Sequence, residues 1–353
     1  MQDIITEIAL NTTLVERLRR NRTLSAQEYR FLLQSDDLQD YLQAQAGEVS
    51  ASVFGKGVFV RGLIEISSHC RNNCNYCGIR AANKNASRYR LDKEEILECC
   101  RNGYALGFRT FVLQGGEDPV QTDEWVEDVI RAIHSEFPDC AITLSLGEKS
   151  RESYRRFKEA GAERYLLRHE TFNAEHYARL HPSSMCRERR LECLQNLKEL
   201  DYQTGTGIMV GSPFQTLDNI VEDILFIGSL RPEMIGIGPF VHHKDTPFAD
   251  FPDGSVELTL RLISIFRLMN PKALIPATTS LATLAPDGRK KGILAGANVV
   301  MPNLSPSFAR EKYSLYEGKA AFGAESAEGL GQLENELATI GYHISAGRGD
   351  YKN

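Results

Sequence analysis

The sequence predicts an α/β protein built as a (β/α)8 barrel of the TIM type. Two observations support this fold class. Short apolar segments rich in β-branched residues alternate eight times with amphipathic helical segments after residue 55. Stop signals, among them Gly107, Gly161 and Pro232, fall where a helix gives way to the next strand. Parallel strands close into a barrel through such helical crossovers, so the alternation favours one barrel over two ordinary domains.

The eight strands are predicted at residues 63–66, 110–114, 141–146, 164–168, 204–210, 234–237, 273–278 and 298–301. In a barrel of this type, chemistry lies at the C-terminal ends of the strands and in the loops that follow them. Polar motifs follow the predicted strands throughout, beginning with a cysteine cluster after the first strand and QGGEDP after the second. The sequence therefore predicts a site at that end of the barrel.

Segments of different character flank the predicted barrel, which spans residues 55–320. Residues 1–54 read as a helical lead-in, in which Ser25 is the expected cap of the second helix. Residues 321–353 form a C-terminal extension, and we expect its GRGD stretch to be a flexible end.

Composition limits the classes of partner. The net charge is −6 and the basic runs at 17–22 and 187–190 are short, so nucleic acid is not an expected partner. No apolar stretch reaches the roughly 18 residues of a membrane span, and the first residues do not resemble a signal peptide. We expect a soluble cytoplasmic protein without a membrane partner.

Three cysteines, Cys70, Cys74 and Cys77, stand within eight positions of the loop after the first strand. Among the eight cysteines of a long intracellular chain, such a cluster indicates metal ligands more than disulfides. An iron–sulfur cluster or a structural zinc site normally takes four ligands, so three leave an open metal position. A zinc site completed by His69 or a remote residue is the alternative.

The CxxxCxYC spacing, with Tyr76 before the last cysteine, resembles the signature of the radical S-adenosylmethionine (SAM) superfamily. The resemblance implies one [4Fe–4S] cluster held by Cys70, Cys74 and Cys77, with SAM on the free iron. It also implies that reductive cleavage of SAM yields a 5′-deoxyadenosyl radical.

The same resemblance implies contacts to SAM from several strand ends. The glycine-rich segment at 114–119 would approach the methionine amino group, an arginine would pair with the SAM carboxylate, and the segment at 207–213 would lie beside adenine. The implied contact residues are Tyr76, Gln114, Gly115, Gly116, Glu117, Ser145, Glu170, Arg190 and Met209.

Longer stretches resemble the HydE family of [FeFe]-hydrogenase maturases across roughly residues 55–320. They include VRGLIEISSHCRNNCNYCGIR, GIGPFVHHKDTP, IPATTSLATLAPDGRKKGILAGANVVMPNLSPS and LYEGK. The resemblance implies action between the maturases HydG and HydF on a cysteine-bound iron carbonyl cyanide, a precursor of the diiron subcluster. It further implies attack of the adenosyl radical at sulfur, and a reductant such as ferredoxin or flavodoxin.

An anionic iron complex calls for fixed cations and hydroxyl donors at the barrel mouth. The residues expected to bind it are Arg168, Thr278, Thr279 and Met301. Arg168 also has a structural alternative, an ion pair with Glu170. Tyr313 and Tyr316 are expected at the bottom or flank of the barrel.

The remaining cysteines form no CxxC pair, and none of the eight follows Cys193, so no second C-terminal cluster is expected. Three alternatives stay open. Biotin synthase shares the barrel and the cysteine triad, a methylornithine synthase-like mutase would bind an amino acid in the same place, and a non-catalytic carrier would only hold an iron–sulfur cluster or zinc.

Overall fold

A computed structural model of the chain describes residues 2–320 and 322–352. The strands in chain order are β1 (Gly57–Val60), β2 (Gly62–Ser67), β3 (Thr110–Gly115), β4 (Ala141–Ser145), β5 (Ala162–Leu166), β6 (Gln203–Thr206), β7 (Met209–Val210), β8 (Met234–Ile235), β9 (Gly238–Pro239), β10 (Val299–Val300) and β11 (His343–Ser345). The helices are α1 (Gln2–Asn21), α2 (Ala26–Gln34), α3 (Gln39–Phe54), α4 (Lys93–Ala105), α5 (Asp123–Glu136), α6 (Arg151–Ala160), α7 (Ala174–Leu180), α8 (Arg187–Glu199), α9 (Leu217–Leu230), α10 (Val256–Met269), α11 (Thr279–Leu284), α12 (Gly288–Leu294), α13 (Ser307–Lys312) and α14 (Leu330–Ala338).

Six strands form one parallel sheet in the order β2, β3, β4, β5, β6, β8. Three isolated parallel bridges carry the pairing onward from β8 to β2, namely Met234 with Leu274, Pro276 with Val299, and Leu63 with Asn303. The pairing thus returns to its first strand and closes a barrel with helices outside it. The fold class expected from the sequence is confirmed.

Two of the predicted strands are interrupted, and a third is reduced to bridges. The segment predicted at 204–210 divides into β6 and β7 around Gly207, where an added Cβ would lie 1.8 Å from the Gly236 carbonyl oxygen. The sixth strand divides in the same way into β8 and β9. The seventh predicted strand is present only as isolated β-bridges at Leu274 and Pro276. Proline has no N–H to donate to a neighbouring strand, and α11 begins three residues after Pro276.

The barrel helices turn an apolar face inward, as α5 illustrates. The Thr122 hydroxyl accepts a hydrogen bond from the Trp125 N–H and so caps the helix start. The buried residues repeat at helical spacing and are Val126, Val129, Ile130 and Ile133. In the part of the chain described, no helix is both long and apolar enough to cross a membrane.

The N-terminal helices lie against the outside of the barrel, where α3 packs on α10 and α2 packs on α9. Ser25 caps α2, and Ser25 and Glu28 form a reciprocal capping box, as the sequence predicts. The Arg261 guanidinium joins the two layers by donating to Asp36 Oδ1 at 2.7 Å. These helices therefore support the wall of the barrel at a distance from its mouth.

The C-terminal segment is not a flexible end, so that prediction is wrong. Strand β11 pairs in parallel with β1, which in turn pairs with β10. Beyond it, Asp350 accepts a hydrogen bond from the fully buried Arg164 at 2.7 Å, and the Arg348 carbonyl accepts from Thr110 Oγ1 at 2.8 Å. Thr110 is the first residue of β3 and Arg164 is the central residue of β5, so the tail lies below the strand ends that form the mouth and closes the bottom of the barrel.

Candidate active site

Three thiols converge in the mouth of the barrel. The segment at residues 68–92, called here the cysteine loop, connects β2 to α4, and Cys70, Cys74 and Cys77 line one cavity of about 340 Å³. The other residues expected from the sequence that line it are Tyr76, Gln114, Gly115, Gly116, Glu117, Ser145, Arg168, Glu170, Arg190, Met209, Thr278 and Met301. A larger surface cavity of about 880 Å³ beside α4 contains a single thiol, Cys99, and no comparable convergence of groups.

Hydrogen bonds to main-chain carbonyls hold the cysteine loop in shape. Arg88 donates to the Ile79 and Arg80 carbonyl oxygens, both at 2.7 Å, and so folds the loop around its own side chain. The edges of the loop are tied down by Asn75 N–H, which donates to Leu180 O at 2.9 Å, and by Gly78 N–H, which donates to Leu315 O at 2.8 Å. Arg88 has no sequence signal for this role, since only the folded loop shows which carbonyl oxygens its guanidinium reaches.

Burial keeps the three thiols neutral in the absence of a cation. It raises the pKa of Cys74 to about 12 and also raises the pKa values of Cys70 and Cys77. A thiolate becomes favourable here when a metal cation replaces the proton. The chemistry of the three side chains therefore fits a group that brings positive charge into the cavity.

The glycine-rich segment after β3 packs directly against the cysteine loop. A Cβ at Gly116 would lie 2.2 Å from the His69 carbonyl oxygen and 2.7 Å from Cys70 Cβ, so only glycine fits. Glu117 Oε2 accepts from Arg71 Nη2 at 2.9 Å, and its other oxygen accepts from the Glu148 N–H at 3.0 Å. Glu117 thus links the cysteine loop to the loop after β4, and it also lines the cavity.

A chain of charged groups crosses the cavity wall between β4 and β5. Arg190 donates to Glu148 Oε1 and to the Arg168 carbonyl oxygen, both at 2.6 Å. Arg168 Nη2 donates to Glu170 Oε2 at 2.9 Å, while its buried Nε has no hydrogen-bond partner among the described residues. The ion pair considered from the sequence is therefore formed, and it leaves one donor of Arg168 unsatisfied.

The backbone at Glu170 is held in an unusual conformation. Its φ is +65°, in the left-handed region that a non-glycine residue rarely adopts. The preceding His169 is fully buried, with Nδ1 at 2.8 Å from Thr206 Oγ1 and Nε2 at 3.2 Å from Asp223 Oδ1. These hydrogen bonds anchor the loop after β5 to β6 and α9. They thereby fix the positions of Arg168 and Glu170, the neighbours of His169 that line the cavity.

Sulfur and aromatic groups surround Cys74 and Tyr76. The Met185 Sδ lies 3.9 Å from Cys74 Sγ, and Met185 lines the cavity although the sequence analysis did not select it. The Tyr76 hydroxyl lies 3.2 Å from His181 Nε2. Burial lowers the pKa of His181 to about 3, so this ring is neutral. Its Nδ1–H donates to the Tyr177 carbonyl oxygen at 3.0 Å, and its Nε2 therefore accepts a hydrogen bond from the Tyr76 hydroxyl.

The far side of the cavity differs from the expectation in two respects. Thr279 does not line it, because its hydroxyl donates to Glu325 Oε2 at 2.8 Å; Ser280 lines it instead, next to Thr278. Tyr313 and Tyr316 line the same cavity, so their expected position at the barrel bottom or flank is wrong. They belong to residues 313–320, a strap that passes over the barrel mouth.

The chain is similar to known proteins in both sequence and fold. The model of the radical SAM superfamily matches residues 64–227. The [FeFe] hydrogenase maturase subunit HydE of Thermotoga maritima is 47% identical over 274 residues, which cover 78% of each protein. The chain belongs to the HydE family of radical SAM enzymes. Members of the superfamily use SAM and a [4Fe–4S] cluster, so this HydE-like maturase is an enzyme of that chemistry.

A second group of relatives shares almost the whole chain. The 3-methylornithine synthase of Methanosarcina acetivorans is 29% identical over 307 residues, covering 86% of each protein. The crystal structure of methylornithine synthase (PylB) matches with a TM-score of 0.82 and 27% identity, over 94% of this chain and 97% of that one. The radical SAM barrel is therefore common to HydE-like and methylornithine synthase proteins.

The residues in the cavity fit the groups that the superfamily uses. Cys70, Cys74 and Cys77 offer soft sulfur ligands on a single loop, and Gly116 lets the neighbouring backbone approach them. Among the described residues, no three or more His, Cys, Asp or Glu side chains are arranged to hold a single metal ion. Arg168 and Glu170, from the loop after β5, and Arg190, from α8, face the same space, so both positive and negative side chains are present to bind the carboxylate and the ammonium group of an amino acid moiety.

Proposed function

We propose that this HydE-like enzyme acts on the sulfur of a cysteine-bound iron carbonyl cyanide, a precursor of the diiron subcluster of [FeFe]-hydrogenase. Cys70, Cys74 and Cys77 would hold one [4Fe–4S] cluster and leave its fourth iron for SAM. With both groups bound, the superfamily's chemistry supplies a 5′-deoxyadenosyl radical. The 47% identity to a HydE protein across 78% of the chain carries this proposal.

The arrangement of charges supports a position for SAM next to the cysteine loop. Arg190 would pair with the carboxylate of the methionine moiety, and Glu170 would accept hydrogen bonds from its amino or ribose groups. Both line the cavity of the three thiols. The remaining contacts would come from Tyr76, Gln114, Gly115, Gly116, Glu117, Ser145 and Met209, which line the same cavity.

The substrate would lie beyond SAM, towards the strands that end in Thr278 and Met301. Arg168 keeps a permanent positive charge there and has an unsatisfied Nε, which suits an anionic iron complex. Thr278 Oγ1 lies 3.1 Å from Ser280 Oγ, so one of these hydroxyls donates to the other, and the proton of the accepting hydroxyl is available to a cyanide or carboxylate group. Ser280 replaces Thr279 in this proposal.

Four of the other five cysteines are buried away from the cavity, and they support a single cluster. Cys99, Cys100, Cys140 and Cys193 are buried, mostly among apolar side chains, and Cys186 is exposed. We assign none of them to a second cluster.

The proposed reaction needs partners. HydG and HydF would be transient partners, HydG before this step and HydF after it. A ferredoxin or flavodoxin would supply electrons, and the reaction would take place in the cytoplasm.

Methylornithine synthase activity is the second candidate, favoured by the match to PylB over 94% of the chain. The α-amino and α-carboxylate groups of an amino acid carry opposite charges. In this candidate Glu170 and Arg168, which pair at 2.9 Å, would bind those two groups, and Glu170 would then not contact SAM. The two candidates share the cluster and SAM, and they differ only in the molecule that occupies the outer part of the cavity.

SAM consumption separates the candidates. Anaerobically reconstituted, reduced enzyme would be given a synthetic cysteine-bound iron carbonyl cyanide, lysine or dethiobiotin in separate reactions. Stimulation by the iron complex alone supports the maturase, whereas stimulation by lysine makes the protein a mutase. Stimulation by dethiobiotin would indicate biotin synthase-like chemistry, and a protein that binds a cluster without a SAM-dependent change in its EPR signal would be a carrier.

A further inference from the structure

The connection between α7 and α8 covers the Cys74 side of the thiol cavity. Residues 179–186, called here the covering segment, run from the last turn of α7 to the start of α8. Asn75 binds this segment twice, because its N–H donates to the Leu180 carbonyl oxygen and its Nδ2 donates to the Arg179 carbonyl oxygen, both at 2.9 Å. The covering segment is thereby attached to the cysteine loop at the residue that follows Cys74.

A turn in the covering segment directs Met185 into the cavity. The Met185 N–H donates to the Pro182 carbonyl oxygen at 2.9 Å, which closes the turn through Ser183 and Ser184. These two serines are exposed, whereas Met185 is half-buried and lines the cavity of the three thiols. Its Sδ lies 3.9 Å from Cys74 Sγ. The Met185 side chain therefore reaches from an exposed turn to the Cys74 sulfur.

The groups around the Cys74 sulfur differ from those around Cys70. Burial raises the pKa of the Cys70 thiol, and the backbone N–H groups of Asn72 and Glu117 oppose this rise by donating to its sulfur. Beside the Cys74 sulfur lie the thioether of the covering segment and, as a side-chain hydrogen-bond partner, the Tyr76 hydroxyl. A thioether has no proton to donate, so the Tyr76 hydroxyl is the donor to consider next.

His181, also in the covering segment, engages that hydroxyl. Its Nε2 accepts a hydrogen bond from the Tyr76 hydroxyl at 3.2 Å, while its Nδ1–H donates to the Tyr177 carbonyl oxygen at 3.0 Å. The rings of Tyr76 and His181 meet edge to face with their centroids 5.5 Å apart. A hydroxyl has a single proton, so the Tyr76 proton that His181 accepts is not available to the Cys74 sulfur.

The contact between Met185 and Cys74 changes in character when a cluster is bound. Iron then replaces the thiol proton, and the contact joins a thiolate to a thioether, neither of which donates a hydrogen bond. Donors and water at the sulfurs of a cluster stabilise its reduced state, which carries one more negative charge, and so raise the reduction potential. A neighbour that lacks a donor and excludes water therefore keeps the potential low.

We propose that Met185 lowers the reduction potential of the cluster by keeping hydrogen-bond donors and water away from the Cys74 sulfur, and that His181 supports this by holding the Tyr76 proton. The inference rests on the proposed function in one respect, the [4Fe–4S] cluster on the three thiols, and it is independent of the substrate. Met185 acts through Cys74 and thereby makes the cluster a stronger reductant.

The test is the midpoint potential of the reconstituted cluster. Met185→Gln places an amide donor beside Cys74 in a side chain of similar length, whereas Met185→Leu, the matched control, keeps a donor-free apolar side chain. EPR spectra would be recorded at a series of fixed solution potentials. At the midpoint potential of the wild type, we expect the ratio of reduced to oxidised cluster to rise about tenfold in Met185→Gln, which corresponds to about 59 mV for one electron. We expect no change in Met185→Leu.

Two further variants test the same account through water and through Tyr76. Met185→Ala, which admits water to the Cys74 sulfur, and His181→Phe, which frees the Tyr76 proton, should both raise the potential. Adding Tyr76→Phe to His181→Phe should cancel the effect of the latter, since no hydroxyl proton then remains. These variants keep the test decisive if Met185→Gln does not retain the cluster.

Equal potentials for the wild type and Met185→Gln, at equal iron content, would overturn the proposal. An equal rise in Met185→Leu would do the same, since the change would then come from packing and not from a donor. A wild-type protein without an EPR-active cluster after reduction would overturn the proposed function, and this inference with it. Because the potential is measured without SAM or substrate, the two failures are distinguishable.

Discussion

The ammonium group of Lys319 forms an ion pair with the carboxylate of Glu65 inside the barrel, where the Glu65 side chain is fully buried. Asn303 Nδ2 donates to the other oxygen of that carboxylate at 2.9 Å. Glu65 lies on β2 and Asn303 bridges to the same strand, so the pair sits at the seam where the barrel closes. Lys319 thereby ties the strap that carries Tyr313 and Tyr316 to the first strand of the sheet.

Replacing Lys319 with Met should destabilise the protein by about 3–5 kcal/mol, because it leaves a buried carboxylate without its cation. The double variant Lys319→Met/Glu65→Gln should recover much of this loss, since the uncompensated charge is gone. Denaturant unfolding of the anaerobic protein measures both changes. Lys312→Met, on the adjacent helix α13, serves as the control; equal stability of Lys319→Met and this control would contradict the assigned role.

Replacing any one of Cys70, Cys74 or Cys77 with Ala should remove iron from the protein and abolish SAM cleavage, because three ligands are the minimum for the proposed cluster. Iron content, the EPR spectrum and 5′-deoxyadenosine formation are the measurements. Cys186→Ala is the matched control, since Cys186 is an exposed thiol in the segment that also carries Met185. Full turnover in a folded triad variant would refute the cluster assignment.

Arg168→Met should impair substrate processing more than SAM binding, since the proposed substrate lies on the arginine side of the cavity. We expect the SAM dissociation constant to change less than threefold and substrate-stimulated turnover to fall at least tenfold, the effect of losing one charged hydrogen bond of about 1.5–3 kcal/mol. Arg168→Lys should restore part of the turnover. Equal losses in binding and turnover would make Arg168 a residue of the cofactor site or the fold.

Gly116→Ala should lower both cluster content and SAM affinity, because its Cβ would collide with the His69 carbonyl oxygen at 2.2 Å and push the cysteine loop outward. Iron analysis and equilibrium binding of SAM measure the two effects. Gly331→Ala is a suitable control, since a Cβ there meets nothing within 4 Å. If Gly116→Ala retained both properties, close approach of the two loops would not be required.

Asp350→Asn should destabilise the bottom of the barrel without altering SAM cleavage. The substitution removes the carboxylate that pairs with the fully buried Arg164, and loss of one partner of such a pair costs roughly 3 kcal/mol. Burial alone would raise the pKa of the Asp350 carboxyl, but Arg164 and Arg348 lower this pKa to about 2. Asp350 is therefore ionised at neutral pH. Unfolding and SAM turnover would be compared; unchanged stability would argue against a closing role for the tail.

The sequence was sufficient for features that depend on local spacing. The cysteine triad, Gly115 and Gly116, and the charged groups at the ends of β4 and β5 follow strands whose order fixes where their loops meet. All of the expected site residues except Thr279 line one cavity. Thr279 lies outside the cavity because the start of α11 decides which hydroxyl faces inward, and that start cannot be placed to one residue from sequence alone.

The missed features depend on contacts between distant segments. Tyr313 and Tyr316 reach the barrel mouth only because Lys319 and the Leu315 carbonyl oxygen attach the strap to β2 and to the cysteine loop. The C-terminal tail is ordered by Arg164, a charge buried within β5 that reads in the sequence as an ordinary strand residue. Pairings across more than 180 residues leave no local signal.

The central claim is that this enzyme directs its radical at sulfur, and product analysis with an isotope-labelled substrate tests it most directly. A synthetic cysteine-bound iron carbonyl cyanide with labelled cysteine sulfur would be incubated with reduced, cluster-loaded enzyme and SAM, and the products examined by mass spectrometry. We expect a species in which the 5′-adenosyl group is bonded to the labelled sulfur. Release of 5′-deoxyadenosine carrying a hydrogen from the substrate, with the labelled sulfur unmodified, would contradict the account.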